Sequence, residues 1–62
     1  MSHDEELWIK YNKYYQKHRN GFFEESDIPD CRAVIDELNK LGWGVEDNDI
    51  RWFLSYEEKL KK

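Results

Sequence analysis

The chain has 62 residues, with 14 acidic and ten basic side chains and a formal net charge of -4. A chain of this length forms one small domain, which we place at residues 1–62, and this argues against enzymes whose cleft lies between larger layers. Aromatic residues make up 16% of the sequence. Because disordered chains are depleted in aromatic residues, the polar composition does not indicate disorder.

The cysteine content and the N-terminal residues bear on location. Cys31 is the single cysteine, so the chain cannot form the internal disulfide that small secreted domains usually need. The segment 1–6 is acidic because of Asp4, Glu5 and Glu6, whereas a signal peptide begins with basic residues, and no apolar run approaches the ~18 residues of a membrane span. We therefore expect a cytoplasmic protein with no membrane partner.

The first predicted element is a helix over residues 4–19. Its apolar stripe, with His18 counted, has helical spacing and consists of Leu7, Trp8, Tyr11, Tyr14, Tyr15 and His18. Ser2 and Glu5 have the separation of a capping box. Acidic residues at the start and basic residues at the end suit the helix dipole. Gly21 supplies the left-handed residue that ends the helix.

The second predicted element is a helix over residues 29–41. Ser26 or Asp27 can cap it, and Pro29 fits its first turn, where no backbone donor is needed. Its apolar stripe consists of Cys31, Val34, Ile35, Leu38 and Leu41. Gly42 is the natural stop, and Trp43 is placed to fold back on the last turn.

The third segment, residues 45–62, has two interpretations. As a helix over residues 48–60, it is capped by Asp47 or Asp49 and turns Ile50, Phe53, Leu54 and Leu60 inward. As a strand, it alternates over residues 50–56 and pairs with residues 43–45 in a hairpin. We favour the helix, and the predicted fold is therefore an all-α domain of three short helices without internal repeats. The alternative is an α+β domain of two helices and a hairpin.

Candidate catalytic and metal-binding residues are few. His3, His18 and Cys31 lack the spacing of a zinc site. Residues 47–49 resemble the start of a calcium loop, but the sequence that follows lacks the glycine at the sixth loop position and the glutamate at the twelfth. Cys31 lies on an apolar stripe, where a buried thiol is the usual interpretation. Three pairs of carboxylates are adjacent in sequence, at residues 24–25, 36–37 and 57–58. On a helix, adjacent side chains point in different directions, so these pairs do not form a catalytic dyad. We expect no metal, no cofactor and no enzyme activity.

Charge is unevenly distributed along the chain. Residues 7–23 contain basic residues and no acids, whereas residues 24–50 contain nine acids and two basic residues. The basic residues form a stripe along the first helix that could contact phosphates: Lys10, Lys13, Lys17 and Arg19. A small nucleic-acid-binding domain is therefore the alternative function. The net acidic charge makes it the less favoured one.

Large aromatic rings near the two glycine stops, Gly21 and Gly42, indicate protein binding. Phe22 and Phe23 follow the first glycine stop, and Trp43 lies between two glycines. Trp52 lies at the flank of the third stripe, and exposed aromatic residues carry much of the binding energy at interfaces. If the first and second helices are antiparallel, the two glycine stops lie at opposite ends of the domain. We therefore favour Trp43 and Trp52 as the pair of rings that binds a partner. We therefore expect a small acidic adaptor, regulator or inhibitor that docks on another protein, or that forms a homodimer.

Overall fold

The computed structural model describes residues 3–60. These residues form three helices, α1 (His3–Arg19), α2 (Asp27–Lys40) and α3 (Arg51–Leu60), and contain no strand. The all-α prediction is confirmed, and the hairpin alternative is wrong. Residues 50–56 bury Ile50 and Phe53 on one side at helical spacing, so the apparent alternation is incidental. None of the three described helices is long and apolar enough to cross a bilayer.

The two glycine stops form the same cap. Gly21 has a φ of 80°, and the Phe22 N–H donates to the carbonyl of Lys17 at 2.8 Å. Gly42 has a φ of 91°, and the Trp43 N–H donates to the carbonyl of Leu38 at 3.1 Å. Both are Schellman caps, in which the residue after the left-handed glycine bonds five residues back. Each cap leaves an aromatic residue directly after the glycine.

The turns that lead into α2 and α3 also share one design. The Glu24 N–H donates to the carboxylate of Asp27 at 3.0 Å, while the Asp27 N–H donates to the carbonyl of Glu24 at 2.9 Å. The Glu46 N–H and the carboxylate of Asp49 are 3.4 Å apart, and the return backbone bond is 2.9 Å. The carboxylate therefore caps the turn before each helix.

This arrangement corrects the predicted caps. Ser26 has helical dihedral angles and makes no side-chain capping bond, because Asp27 already binds the preceding turn. Asp49 likewise caps residues 46–49 rather than α3 itself. The predicted capping box of Ser2 and Glu5 lies outside the described residues, since Ser2 is not among them.

The core has two parts that meet on α2. One lies between α2 and α3 and contains Ile28, Cys31, Ile35, Ile50 and Phe53. The other lies between α1 and α2 and contains Leu7, Val34 and Leu38. The rings of Tyr11 and Tyr14 pack against both parts. Two residues predicted to face inward, Leu41 and Leu60, are exposed, because both lie at helix ends beyond the packed neighbours.

The direction of the helices follows from the contacts between their ends. Asp4 at the start of α1 contacts Trp43, which follows α2, and Lys17 near the end of α1 contacts Asp27 at the start of α2. Helices α1 and α2 are therefore antiparallel, as predicted, and the two glycine stops lie at opposite ends of the molecule. Tyr11 contacts Asp49 and His18 contacts Tyr56, so α3 runs beside α1 in the same direction.

An ion pair joins α3 to α2. The guanidinium of Arg32 binds the carboxylate of Glu57 through two nitrogens, and the Nε to Oε2 distance is 2.9 Å. The same guanidinium lies 5.2 Å from the ring centre of Phe53. The two-pronged bond to Glu57 raises the pKa of Arg32, and it holds the end of α3 against the start of α2.

Candidate protein-docking site

The four aromatic residues predicted to bind a partner lie in different surroundings. Phe23 is half-buried and packs on Tyr56, with ring centroids 4.7 Å apart. Phe22 points away from the molecule and is 71% exposed. Trp43 is 51% exposed, and Trp52 is half-buried. Exposure therefore separates Phe22 and Trp43, each directly after a glycine stop, from Phe23 and Trp52, which pack between helices.

Trp52 is the centre of an aromatic layer between α1 and α3. Its ring lies within 4.9–6.4 Å, centroid to centroid, of Tyr11, Tyr15, His18, Phe23, Phe53 and Tyr56. Its Nε1–H donates to the hydroxyl of Tyr11 at 3.3 Å. Burial raises the pKa of Tyr11, so that hydroxyl stays protonated. Trp52 thus contributes mainly to packing.

Trp43 is exposed but fixed in position. Its Nε1–H donates to Oδ2 of Asp4 at 3.0 Å, and its ring meets Trp8 edge-on, with centroids 5.4 Å apart and planes at 86°. The left-handed residues Gly42 and Gly44 on either side allow the chain to turn the indole toward α1. The ring of Trp43 therefore contacts α1, while its backbone N–H bonds to the last turn of α2.

A groove of about 500 Å³ lies beside this indole and is lined by Asp4, Glu5, Trp8, Ile9, Asn12 and Trp43. Its apolar surface comes from the exposed half of Trp43, from Trp8 and from Ile9, which is 58% exposed. The charged residues in this lining are Asp4 and Glu5, which lie at the end of the groove where α1 begins. We call this set of residues the Trp43 groove.

Of the six residues that line the Trp43 groove, only Trp43 was predicted from sequence to bind a partner. Ile9 is an apolar residue outside the apolar stripe of α1, so its exposure could have been predicted from the sequence. Trp8 was assigned to the buried stripe, but it is half-buried and its ring packs edge-on against Trp43. Asp4 was read only as a helix-dipole residue, and nothing in its local sequence indicates a bond to residue 43.

The two indoles of the favoured pair are linked indirectly. Trp43 contacts Trp8, Trp8 contacts Tyr11 at 5.6 Å, and Tyr11 contacts Trp52 at 6.1 Å. The rings therefore form a row across α1, with Trp43 at the exposed end. A partner that covers Trp43 would meet Trp8 and Ile9 next, rather than Trp52.

The basic residues of α1 do not form an uninterrupted positive surface. Both carboxylate oxygens of Asp27 lie 3.2 Å from Nζ of Lys17, and the guanidinium of Arg19 lies 6.0 Å from the ring centre of Tyr15. The remaining two predicted residues line a second groove, between α1 and α2, whose lining includes Lys10, Lys13, Asp30 and Glu37. A phosphate backbone would therefore meet carboxylates beside these lysines.

The residues considered for catalysis take structural positions. Cys31 is completely buried, and burial raises the pKa of its thiol to about 12. The ring of His18 stacks on Trp52, and its Nδ1 lies 2.9 Å from the hydroxyl of Tyr56. Within residues 3–60, no three His, Cys, Asp or Glu side chains are grouped closely enough to hold a metal ion.

Comparisons with protein-family models, with curated proteins and with solved structures find no match to this chain.

Proposed function

We propose that this protein is a small, non-enzymatic binding module that docks on another protein through the Trp43 groove. The observation that carries the proposal is the position of Trp43, which is held by Asp4 and Trp8 yet leaves half of its surface exposed. A fixed, exposed indole loses little side-chain freedom on binding. Tryptophan is also among the residues that contribute most to binding energy at interfaces.

The charges around the groove support a partner of particular chemistry. Asp4 and Glu5 flank the apolar surface, and none of the basic residues within 3–60 lines it. A partner segment that combines apolar side chains with lysine or arginine would cover the indole and place its positive charge beside the carboxylates. Acidic residues elsewhere on the surface, which give the chain its net charge of -4, would speed the approach of such a partner by long-range steering.

The nucleic-acid alternative has less support from the geometry. Of the four stripe residues, Lys17 pairs with Asp27, while Lys10 and Lys13 share a groove with carboxylates. Binding to phosphates must overcome these carboxylates as well as the overall negative charge. Fluorescence anisotropy with labelled DNA and RNA at low salt distinguishes the two functions, because tight binding that weakens steeply with salt favours the nucleic-acid domain.

The experiment that tests the proposal compares two exposed aromatic residues at equivalent caps. Wild type, Trp43→Ala and Phe22→Ala are immobilised and exposed to nuclease-treated lysate of the source cells, and captured proteins are quantified by mass spectrometry. Circular dichroism shows whether each variant stays folded. We expect a captured protein to retain binding to Phe22→Ala. We expect it to lose at least ~2 kcal/mol of binding energy with Trp43→Ala, the usual loss at an interface hot spot.

Two outcomes would contradict this proposal. Loss of the captured protein with Phe22→Ala but not with Trp43→Ala would place the docking surface at the opposite end of the molecule. Equal capture by wild type and both variants would show that neither exposed ring contributes to binding.

A further inference from the structure

We infer that the Trp43 groove binds an amphipathic α-helix of the partner, antiparallel to α1, with basic residues in the last turn of that helix. This inference rests on the proposed function and specifies the form of the docking segment. Four observations support it: the shape of the groove, the position of its carboxylates, the direction of α1 and the composition of the exposed face of α1.

The shape of the groove suits a helix. Glu5, Ile9 and Asn12 recur at i, i+4 and i+7 along one exposed face of α1, and Trp43 stands beside them as a wall. The seven helical steps from Glu5 to Asn12 span roughly 10 Å, or about two helical turns. A second helix can pack its side chains between such a row and the indole. Residues 3–60 offer no strand edge to which an extended segment could add.

The charges set the direction of the bound helix. Asp4 and Glu5 lie at the end of the groove where α1 begins, and the far end is formed by the neutral side chain of Asn12. An antiparallel helix places its C-terminal end beside the two carboxylates. Lysine or arginine in that last turn stabilises the helix through its own dipole and also pairs with the acids. A parallel helix would need its basic residues at its N-terminal end, where the dipole disfavours them.

A second copy of this chain fits the groove less well. The face that α1 presents beside Trp43 contains Ile9 as its apolar side chain, between Glu5 and Asn12. A helix that fills the groove needs apolar residues over two turns, at i, i+3 or i+4, and i+7. The α1 of another copy offers one such residue, so the groove favours a different protein.

The inference is tested with a display library of randomised 16-residue peptides selected on the whole protein. Parallel selections on Trp43→Ala and Ile9→Asn identify the peptides that depend on the groove, and both substituted residues are exposed, so the fold should remain. We expect the groove-dependent peptides to be amphipathic, with lysine or arginine concentrated in the last turn. We expect Glu5→Lys to weaken their binding about three- to fivefold, as for an exposed ion pair.

Direction is measured on one enriched peptide. A nitroxide label at its C-terminal end should broaden the backbone amide signals of Asp4 and Glu5 more than that of Asn12, and a label at its N-terminal end should do the reverse. A proline placed in the middle of the peptide should abolish binding, because it breaks the helix.

The outcomes separate this inference from the proposed function. Groove-dependent peptides that are extended, acidic or bound parallel to α1 would overturn the helix inference and leave the docking function in place. A selection that enriches no peptide dependent on Trp43 and Ile9 would overturn both. Sedimentation that shows a dimer in wild type, lost in Ile9→Asn, would identify a second copy as the occupant and would also overturn the inference.

Discussion

The imidazole of His18 stacks on the indole of Trp52, with ring centroids 4.9 Å apart and an angle of 24° between the planes. This contact joins the end of α1 to the first turn of α3, and it lies within a layer of large rings between the two helices. The position of α3 therefore depends on side chains that are themselves only half-buried, in addition to the buried residues Ile50 and Phe53.

Trp52→Ala should destabilise the domain far more than Trp43→Ala. Removing the indole at position 52 leaves a gap bordered by several rings, and we expect a loss of about 3 kcal/mol in the free energy of unfolding. The ring of Trp43 packs on the surface of α1 and is half exposed, so its removal should lower the free energy of unfolding by less than about 1 kcal/mol. Urea denaturation followed by circular dichroism measures both. Equal losses would show that Trp43 belongs to the core.

Asp27→Asn should cost more stability than the matched change Asp49→Asn. Both side chains accept a bond from a backbone N–H three residues earlier, and the Asp27 carboxylate also pairs with Lys17. The amide oxygen of asparagine can keep the backbone bond, so the variants differ mainly in the ion pair. We expect a difference of about 1 kcal/mol at neutral pH and low salt, measured by chemical denaturation. A smaller loss for Asp27→Asn would show that the pair adds nothing.

The same carboxylate predicts a dependence on pH. The backbone bond from Glu24, followed by the bond from Lys17, lowers the pKa of Asp27 below its usual value of 3.8. Its stabilising contribution is therefore complete above that value and is lost as the pH falls through the lower pKa of the folded state. The stability difference between wild type and Asp27→Asn should shrink as the pH falls below about 4. A difference that stays constant over this range would contradict the assignment.

Arg32 should couple to Glu57 more strongly than to Asp36. The guanidinium binds Glu57 through two nitrogens, whereas the Asp36 carboxylate lies 3.4 Å from one nitrogen on the exposed surface of α2. A double-mutant cycle of Arg32→Met with Glu57→Gln should give a coupling energy of about 1 kcal/mol, and the cycle with Asp36→Asn about 0.3 kcal/mol. Arg32→Lys should lose most of the larger coupling, since an ammonium cannot form the two-pronged bond.

Cys31 should be unreactive toward thiol reagents in the folded protein. Its side chain is completely buried and its pKa is raised to about 12 by burial, so the thiolate is scarce and out of reach near neutral pH. We expect a maleimide to modify Cys31 only as fast as the folded protein transiently unfolds and exposes the thiol. The reaction should become fast once urea unfolds the chain. Rapid modification without denaturant would place the thiol at the surface.

Helix positions were predictable because their signals are local. Apolar spacing identified the buried sides of α1 and α2, and Gly21 and Gly42 marked their ends. The predicted bounds differ by at most three residues from those of the structure, and the ends at residues 19 and 60 coincide. The reason is physical in the third segment, where residues 46–50 form two successive turns before α3 begins.

The groove was harder to predict because it depends on contacts between distant residues. The bond between Asp4 and Trp43 joins residues 39 positions apart, and no spacing rule connects them. The shared turns were more accessible, since Glu-x-x-Asp-Ile occurs at residues 24–28 and again at residues 46–50. That short repeat, together with a glycine and an aromatic residue before it, indicates two equivalent connections, contrary to the expectation of a chain without internal repeats.

The exposure of three residues of the Trp43 groove has an evolutionary consequence. Ile9, Asn12 and Trp43 are exposed, and the packing of α2 against its neighbours does not involve them. Substitutions at these positions can therefore accumulate at little cost in folding, and partner specificity can drift while the three helices persist. A combinatorial library varied at positions 5, 9, 12 and 43 should yield folded proteins at high frequency, which would make this chain a compact scaffold for selecting new binding specificities.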